Sequence, residues 1–227
     1  MIIFCIRKQV FILLLFFSSC GFSQERFLSY WEPEFEISYD IAPLYSHKFS
    51  LEKRSLMYEK ELLFDVVQFD FSHFSEFKLL DNQTVALGLM YRTRSPFGEE
   101  RDELRLTEQY SLTSTTMNFR LGHRFRMEHR FSGKPVVHRL RYRLAVDFPI
   151  QGTRLDVGES FFTGSWENLL SLANTERPVY EQRFTVSLGY LANKKLTLMS
   201  GLEYRLDDYT HATKHVIFVL TSASISL

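Results

Sequence analysis

The sequence predicts an all-β protein: an antiparallel, up-and-down transmembrane β-barrel of about 10 to 12 strands, following a leader and forming a single domain over residues 24–227. Three observations point there. Two ribbons alternate arginine with large apolar residues for longer than an ordinary strand lasts. The N-terminus reads as a secretory leader. Aromatic side chains make up 15% of the sequence, with 22 Phe and 11 Tyr, a density suited to a barrel that coats its outside with rings.

In the first ribbon, Asn118–Arg130, the residues Phe119, Leu121, Phe125 and Met127 share one parity, and Arg120, Arg124, Arg126 and Glu128 the other. In the second, Arg139–Phe148, the residues Leu140, Tyr142, Leu144, Val146 and Phe148 oppose Arg139, Arg141, Arg143 and Asp147. Strand side chains point alternately to two faces, so each ribbon has an apolar face and a cationic face. A soluble sandwich would turn the apolar face inward. An outer-membrane barrel turns it to lipid and keeps polar side chains in the lumen.

The leader supplies the compartment. Arg7 and Lys8 precede the apolar run Val10–Phe17, and the small residues Ser18, Ser19, Gly21 and Ser23 follow. This is signal-peptide anatomy, with cleavage expected between Ser23 and Gln24, so that residues 1–23 are removed. A rival reading takes Phe17-Ser18-Ser19-Cys20 as a loose lipobox and Cys20 as an acylated N-terminus. The other cysteine, Cys5, also falls in the leader, which excludes disulfides and thiolate metal sites from the mature chain. Later segments do not approach the ~20 apolar residues of a membrane-spanning helix. The 27 basic and 27 acidic residues balance, which argues against a nucleic-acid partner. The expected partners are outer-membrane lipid and the barrel-assembly machinery, the expected state is a monomer, and no cofactor is expected.

Taken in order, the strands read as follows. Phe35, Ile37, Tyr39 and Ile41 alternate with Glu36, Ser38 and Asp40, and a turn at Ala42-Pro43 follows. Tyr45, Phe49 and Leu51 alternate with Ser46, Lys48 and Ser50; Val67, Phe69 and Phe71 with Gln68, Asp70 and Ser72, after a less regular Leu62–Val66. Val85, Leu87, Leu89 and Tyr91 oppose Ala86, Gly88 and Arg92, and Leu104, Leu106, Tyr110 and Leu112 oppose Arg105, Thr107, Gln109 and Ser111. The two ribbons come next. Trp166–Leu172 fits a strand better than the two helical turns its spacing also allows. Phe184–Tyr190, Leu196–Tyr204 and Ile217–Leu227 repeat the alternation. The clear segments number about eleven, whereas a single-chain bacterial barrel is expected to have an even count. Phe27–Trp31 as a separate strand would restore it. Thr93–Asp102, Gln151–Gly158 and Asp207–Lys214 are long and polar, and are expected together on the outer side of the membrane.

The inward parity collects the candidate site: a lumen-facing ion network of Arg120, Arg124, Arg126, Glu128, Arg139, Arg141, Arg143, Asp147, Arg183, Glu203 and Arg205. Arg92, Arg105, Glu36, Asp40, Asp70 and Glu181 lie on compatible positions. Arginine suits interior ladders because its planar fork makes several hydrogen bonds while staying charged. The other reading is an anion-attracting pore. Histidines offer no metal-binding spacing, and Ser160 beside Glu159 or Ser165 beside Glu167 supply only fragments of a hydrolase. No catalytic residue is assigned.

The stretches Leu89-Met90-Tyr91-Arg92, His123–Phe131, His138–Arg143, Gly158-Glu159, Trp166–Leu170 and Gly201–Tyr209 resemble an uncharacterised bacterial family common in Bacteroidetes, with Arg-x-Arg-Tyr-Arg as its most specific element. The resemblance implies an outer-membrane barrel and transfers no catalytic residue.

The sequence therefore leads to a non-enzymatic outer-membrane barrel, structural or a narrow, anion-preferring channel. The alternatives are a soluble periplasmic barrel carrying an apolar ligand and an outer-membrane lipid-modifying enzyme. For the soluble alternative, Phe119, Leu121, Tyr142 and Leu144 would line a cavity instead of facing lipid.

Overall fold

Each long period-two stretch becomes a strand. The computed structural model describes residues 28–94, 101–116, 119–133, 135–174 and 176–227. The leader, with its expected cleavage after Ser23 and the alternative of an acylated Cys20, lies outside them. The described residues form eleven strands: β1 (Leu28–Ala42), β2 (Tyr45–Tyr58), β3 (Leu62–Leu80), β4 (Gln83–Arg94), β5 (Glu103–Thr115), β6 (Arg120–Phe131), β7 (Val137–Pro149), β8 (Ser160–Ala173), β9 (Val179–Leu191), β10 (Leu196–Asp207) and β11 (Lys214–Ser226). Consecutive strands pair antiparallel, and the sheet closes on itself.

The closure resolves the count. With an odd number of up-and-down strands, the first and last run in the same direction, so β1 and β11 pair in parallel, from Leu28 opposite Val216 to Ser38 opposite Ser226. The expected even number is corrected to eleven, and Leu28–Trp31 is the start of β1. Trp166–Leu172 is strand, within β8. The irregular stretch at Leu62–Val66 also has a cause: register shifts fall between Arg54 and Ser55 and between Leu56 and Tyr58 in the β2–β3 pair. Bulges of this kind break the period of two.

Leu28, the ends of β2, β4, β6, β8 and β10 and the starts of β3, β5, β7, β9 and β11 lie at one mouth, called here the first. The links 43–44, 81–82, 150–159 and 192–195, the end of β5 and the start of β6 lie at the second. The expectation that the three long connections share one side is therefore corrected. Strand direction alternates, and 150–159 follows an odd-numbered strand while the other two follow even-numbered ones.

Burial is inverted relative to a soluble domain. Among the described residues the buried apolar ones are only Ala86, Leu169, Val216 and Phe218, while Glu103 and Glu128 are each 1% exposed. Leu87, at 68% exposure, lies on the opposite face. The apolar faces of both ribbons, with Leu121, Phe125, Tyr142 and Leu144, point outward, as the register requires once Arg126 and Arg141 point in. The lumenal cavity is lined mainly by carboxylates and arginines, not by the apolar walls that a soluble carrier of an apolar ligand needs.

Within the sheet, bulky inward rings find room over glycines. Phe74 lies opposite Gly88 in the β3–β4 register, and a Cβ on Gly88 would overlap its ring. Only glycine leaves space there for an aromatic that lies across the lumen.

Candidate functional site

The inward charges assemble into a belt near the first mouth. On β1 and β2, Arg54 Nε donates to Glu32 Oε2 at 2.6 Å. On β3 and β4, Arg92 forks onto Asp70 at 2.9 and 2.5 Å, and Gln68 donates to the same carboxylate at 3.0 Å. Glu103 of β5 is the densest node. It accepts from Arg94 at 2.5 Å, from Arg105 at 2.5 Å, and from both Nε and Nη2 of Arg130 at 2.9 and 2.7 Å. Glu128 of β6 joins Arg105 at 3.4 Å to Arg141 at 2.5 Å. Arg141 also forks onto Glu167 of β8, at 3.2 and 2.8 Å.

The belt continues through Glu181, which holds Arg183 and stands 3.7 Å from Arg139. Arg205 contacts Glu203 on its own strand and reaches Glu32 of β1 at 3.5 Å, passing over β11. The eleventh strand contributes a ring instead of a charge. Phe218 has the Arg205 guanidinium 3.6 Å from its centroid and that of Arg54 at 5.0 Å, and it stacks on Tyr30 at 5.1 Å. Every strand thus contributes a side chain, and the parallel seam is crossed from inside by the Glu32–Arg205 pair. On the outer side Trp31 Nε1 donates to Thr221 Oγ1 at 3.1 Å.

Several expected members stand outside the belt. Arg120 and Asp147 pair at 2.8 Å, but at the rim of the second mouth, where the Arg120 side chain is 60% exposed. Arg126 has no carboxylate partner among the described residues. Its Nε donates to Gln109 at 2.5 Å, and its guanidinium lies over the Phe74 ring at 5.1 Å. Arg143 stands opposite Glu167 in register, yet that carboxylate leans along the strand to Arg141. The Nε atoms of Arg143 and Arg124 are buried without a hydrogen-bond partner, and Arg124 reaches Glu167 only at 3.5 Å.

On the second-mouth side of the belt lies a cavity of about 430 Å³. Its carboxylates are confined to three strands, where Lys48 and Arg54 of β2 stand among them. All six lining carboxylates, Glu32, Glu34, Glu36, Glu52, Asp70 and Glu76, come from β1–β3. The other strands contribute arginines, among them Arg124, Arg126, Arg141 and Arg143 of β6 and β7, together with Met90, Gln109, Met199, Ser222 and Ser224.

Histidines gather on the outer face. His47 and His73 are 2.7 Å apart, as are His129 and His138, and His123 bonds Tyr142 at 2.9 Å. Among the described residues no group of three His, Cys, Asp or Glu side chains is arranged to hold a metal ion. The register sets Ser160 against Tyr190 and Ser165 between Ala145 and Thr185, so neither serine stands beside a histidine.

A protein-family model matches residues 30–215, from near the start of β1 to the start of β11. The chain belongs to the DUF2490 family. Its description is a protein of unknown function, so family membership places the barrel in an uncharacterised group and assigns it no activity. The DUF2490 match spans nearly all of the belt, from Glu32 to Arg205. No curated protein and no solved structure matches the chain.

Several belt residues escape sequence reading. Glu103 sits at the first position of β5, against a polar link, and reads as loop; its parity with Arg105 two residues on is the signal that includes it. Glu32 shares parity with Glu34 and Glu36 in the same way. Arg54 lies at a register shift, where alternation offers no guide.

Proposed function

We propose that this protein is an outer-membrane β-barrel with a structural, non-catalytic role, its lumen closed near one mouth by the arginine–carboxylate belt. The observation that carries this reading is the inversion of burial: ionised side chains packed inside, large apolar ones exposed all round. A polar lumen and an apolar outer band are what a membrane barrel requires. The strands run 12 to 19 residues, longer than the roughly 9–11 that cross a bilayer at a tilt. Outward Tyr and Trp residues support the same placement. Tyr39, Tyr45, Tyr190, Trp31, Tyr91 and Tyr204 each lie within three residues of a strand end, where aromatic girdles meet headgroups. Glu108, exposed in the middle of β5, departs from the apolar band.

A family of the bacterial outer-membrane kind, delivered by a secretory leader and inserted as a monomer by the assembly machinery into outer-membrane lipid, fits these features. Fractionation of cell envelopes with sarkosyl tests it. The protein is expected in the sarkosyl-insoluble fraction; recovery in the soluble periplasm without detergent overturns the reading. The cavity beside the belt favours a second reading, a narrow anion-preferring channel. Steady anion-selective currents in planar bilayers, with the anion preference reduced in Arg141→Ala, would replace the sealed lumen with that channel.

A further inference from the structure

The belt leaves two groups of ionisable side chains without a close ion-pair partner, and the strands that carry them, β1–β3 and β6–β7, lie on opposite sides of the barrel. On one wall Glu34 stands directly opposite Glu52, and Glu52 directly opposite Asp70, in the registers of β1–β2 and β2–β3. On the other, Arg126 stands opposite Arg141 and Arg124 opposite Arg143. Like charges directly across a strand pair destabilise it, so both arrangements carry a cost that the belt does not remove. Of these groups, Asp70 and Arg141 are taken up by belt partners. Glu52 has only a distant contact, 3.8 Å from Arg54, and Lys48, the one nearby amine, is 3.8 Å from both Glu36 and Glu76. Arg126 and Arg143 have no carboxylate partner among the described residues, and the buried Nε atoms of Arg124 and Arg143 are unsatisfied.

Buried donors without acceptors are expensive. Guanidinium groups that line one cavity suit a carboxylate or phosphate oxygen pair. A single anion would satisfy the arginine wall and leave Glu34 and Glu52 as they are. A molecule with an ammonium at its other end satisfies both.

We propose that the lumenal cavity binds a small zwitterion of amino-acid or dipeptide size, its anionic group held by Arg124, Arg126 and Arg143 and its ammonium by Glu34 and Glu52. The cavity's 430 Å³ falls within the range of small-molecule sites, about 300–1,000 Å³. The proposal rests on the closed-lumen reading above, but its test needs only the folded barrel in detergent.

The test is calorimetric titration of the full mature chain, folded in detergent, with alanylalanine, N-acetyl-alanylalanine and alanylalanine amide. The zwitterion is expected to bind at least tenfold more tightly than either blocked peptide. Arg143→Gln and Glu34→Gln are each expected to weaken it tenfold or more. Both residues lack belt partners, so the variants should keep the heat-modifiable gel mobility of a folded barrel, which is checked in parallel. Equal binding of the acetylated peptide would overturn the proposal in favour of a plain anion pocket. Absence of binding up to millimolar concentration by the folded protein would also overturn it, while leaving the membrane placement, tested by fractionation, untouched.

Discussion

Glu103→Ala is expected to destabilise the barrel by about 3–5 kcal/mol, the cost of removing one partner from a buried ion pair. Glu103 is 1% exposed and accepts from Arg94, Arg105 and Arg130. Its loss leaves these guanidinium groups without their shared acceptor, those of Arg105 and Arg130 in a largely buried setting. The measurement is urea-induced unfolding of the refolded protein in detergent or lipid, followed by gel mobility. Glu103→Gln retains an acceptor oxygen and the side-chain volume, and is expected to lose less. A change under 1 kcal/mol for the alanine variant would show that the belt is not what holds the lumen together.

Phe218→Ala is expected to cost a similar amount, about 3–5 kcal/mol, typical of a buried phenylalanine truncated to a cavity. The ring is 3% exposed. It fills the inner side of the parallel seam and receives Arg54 and Arg205 on its surface, an arrangement that adds cation–π attraction once the charges are desolvated. Its neighbour Ile217 points outward, so Ile217→Ala removes contacts with lipid or detergent instead of with the belt, and a smaller loss is expected. The same urea titration separates them. Equal effects at the two positions would mean that Phe218 is not packed as an inner-face anchor.

How much of this was legible in the chain differs from place to place. The fold class was, because a period of two sustained through residues such as Leu140 to Phe148 permits only strand, and eleven such segments are present. Which face turns inward could not be read from the arginine parity of Arg139, Arg141 and Arg143 alone; it followed from the leader, the absence of cysteine from the expected mature chain and the repeated apolar faces, which together favour arginine inside. The parallel seam was not legible. Nothing in Leu28–Ser38 or Val216–Ser226 reveals a partner nearly two hundred residues away, and only closure of an odd number of strands brings them together. The belt was half legible. Arg141 and Glu128 lie within regular alternation, whereas Glu103 is at a strand terminus and Arg54 at a bulge, where local pattern fails. The lack of carboxylate partners for Arg126 and Arg143 could not be read at all. It depends on which way the Glu167 side chain leans, and strand periodicity carries no information about that.

The central claim is that the apolar face meets lipid while the arginines stay inside, and the chain's two tryptophans allow a direct test. Trp166 is outward and in the middle of β8, with Tyr142 against it edge-on. In a Trp31→Phe variant folded into phospholipid vesicles, Trp166 becomes the only tryptophan reporter. Its fluorescence is expected to be quenched strongly by lipids brominated along the acyl chain and little by aqueous iodide. Efficient iodide quenching, with no response to the brominated lipids, would contradict the claim.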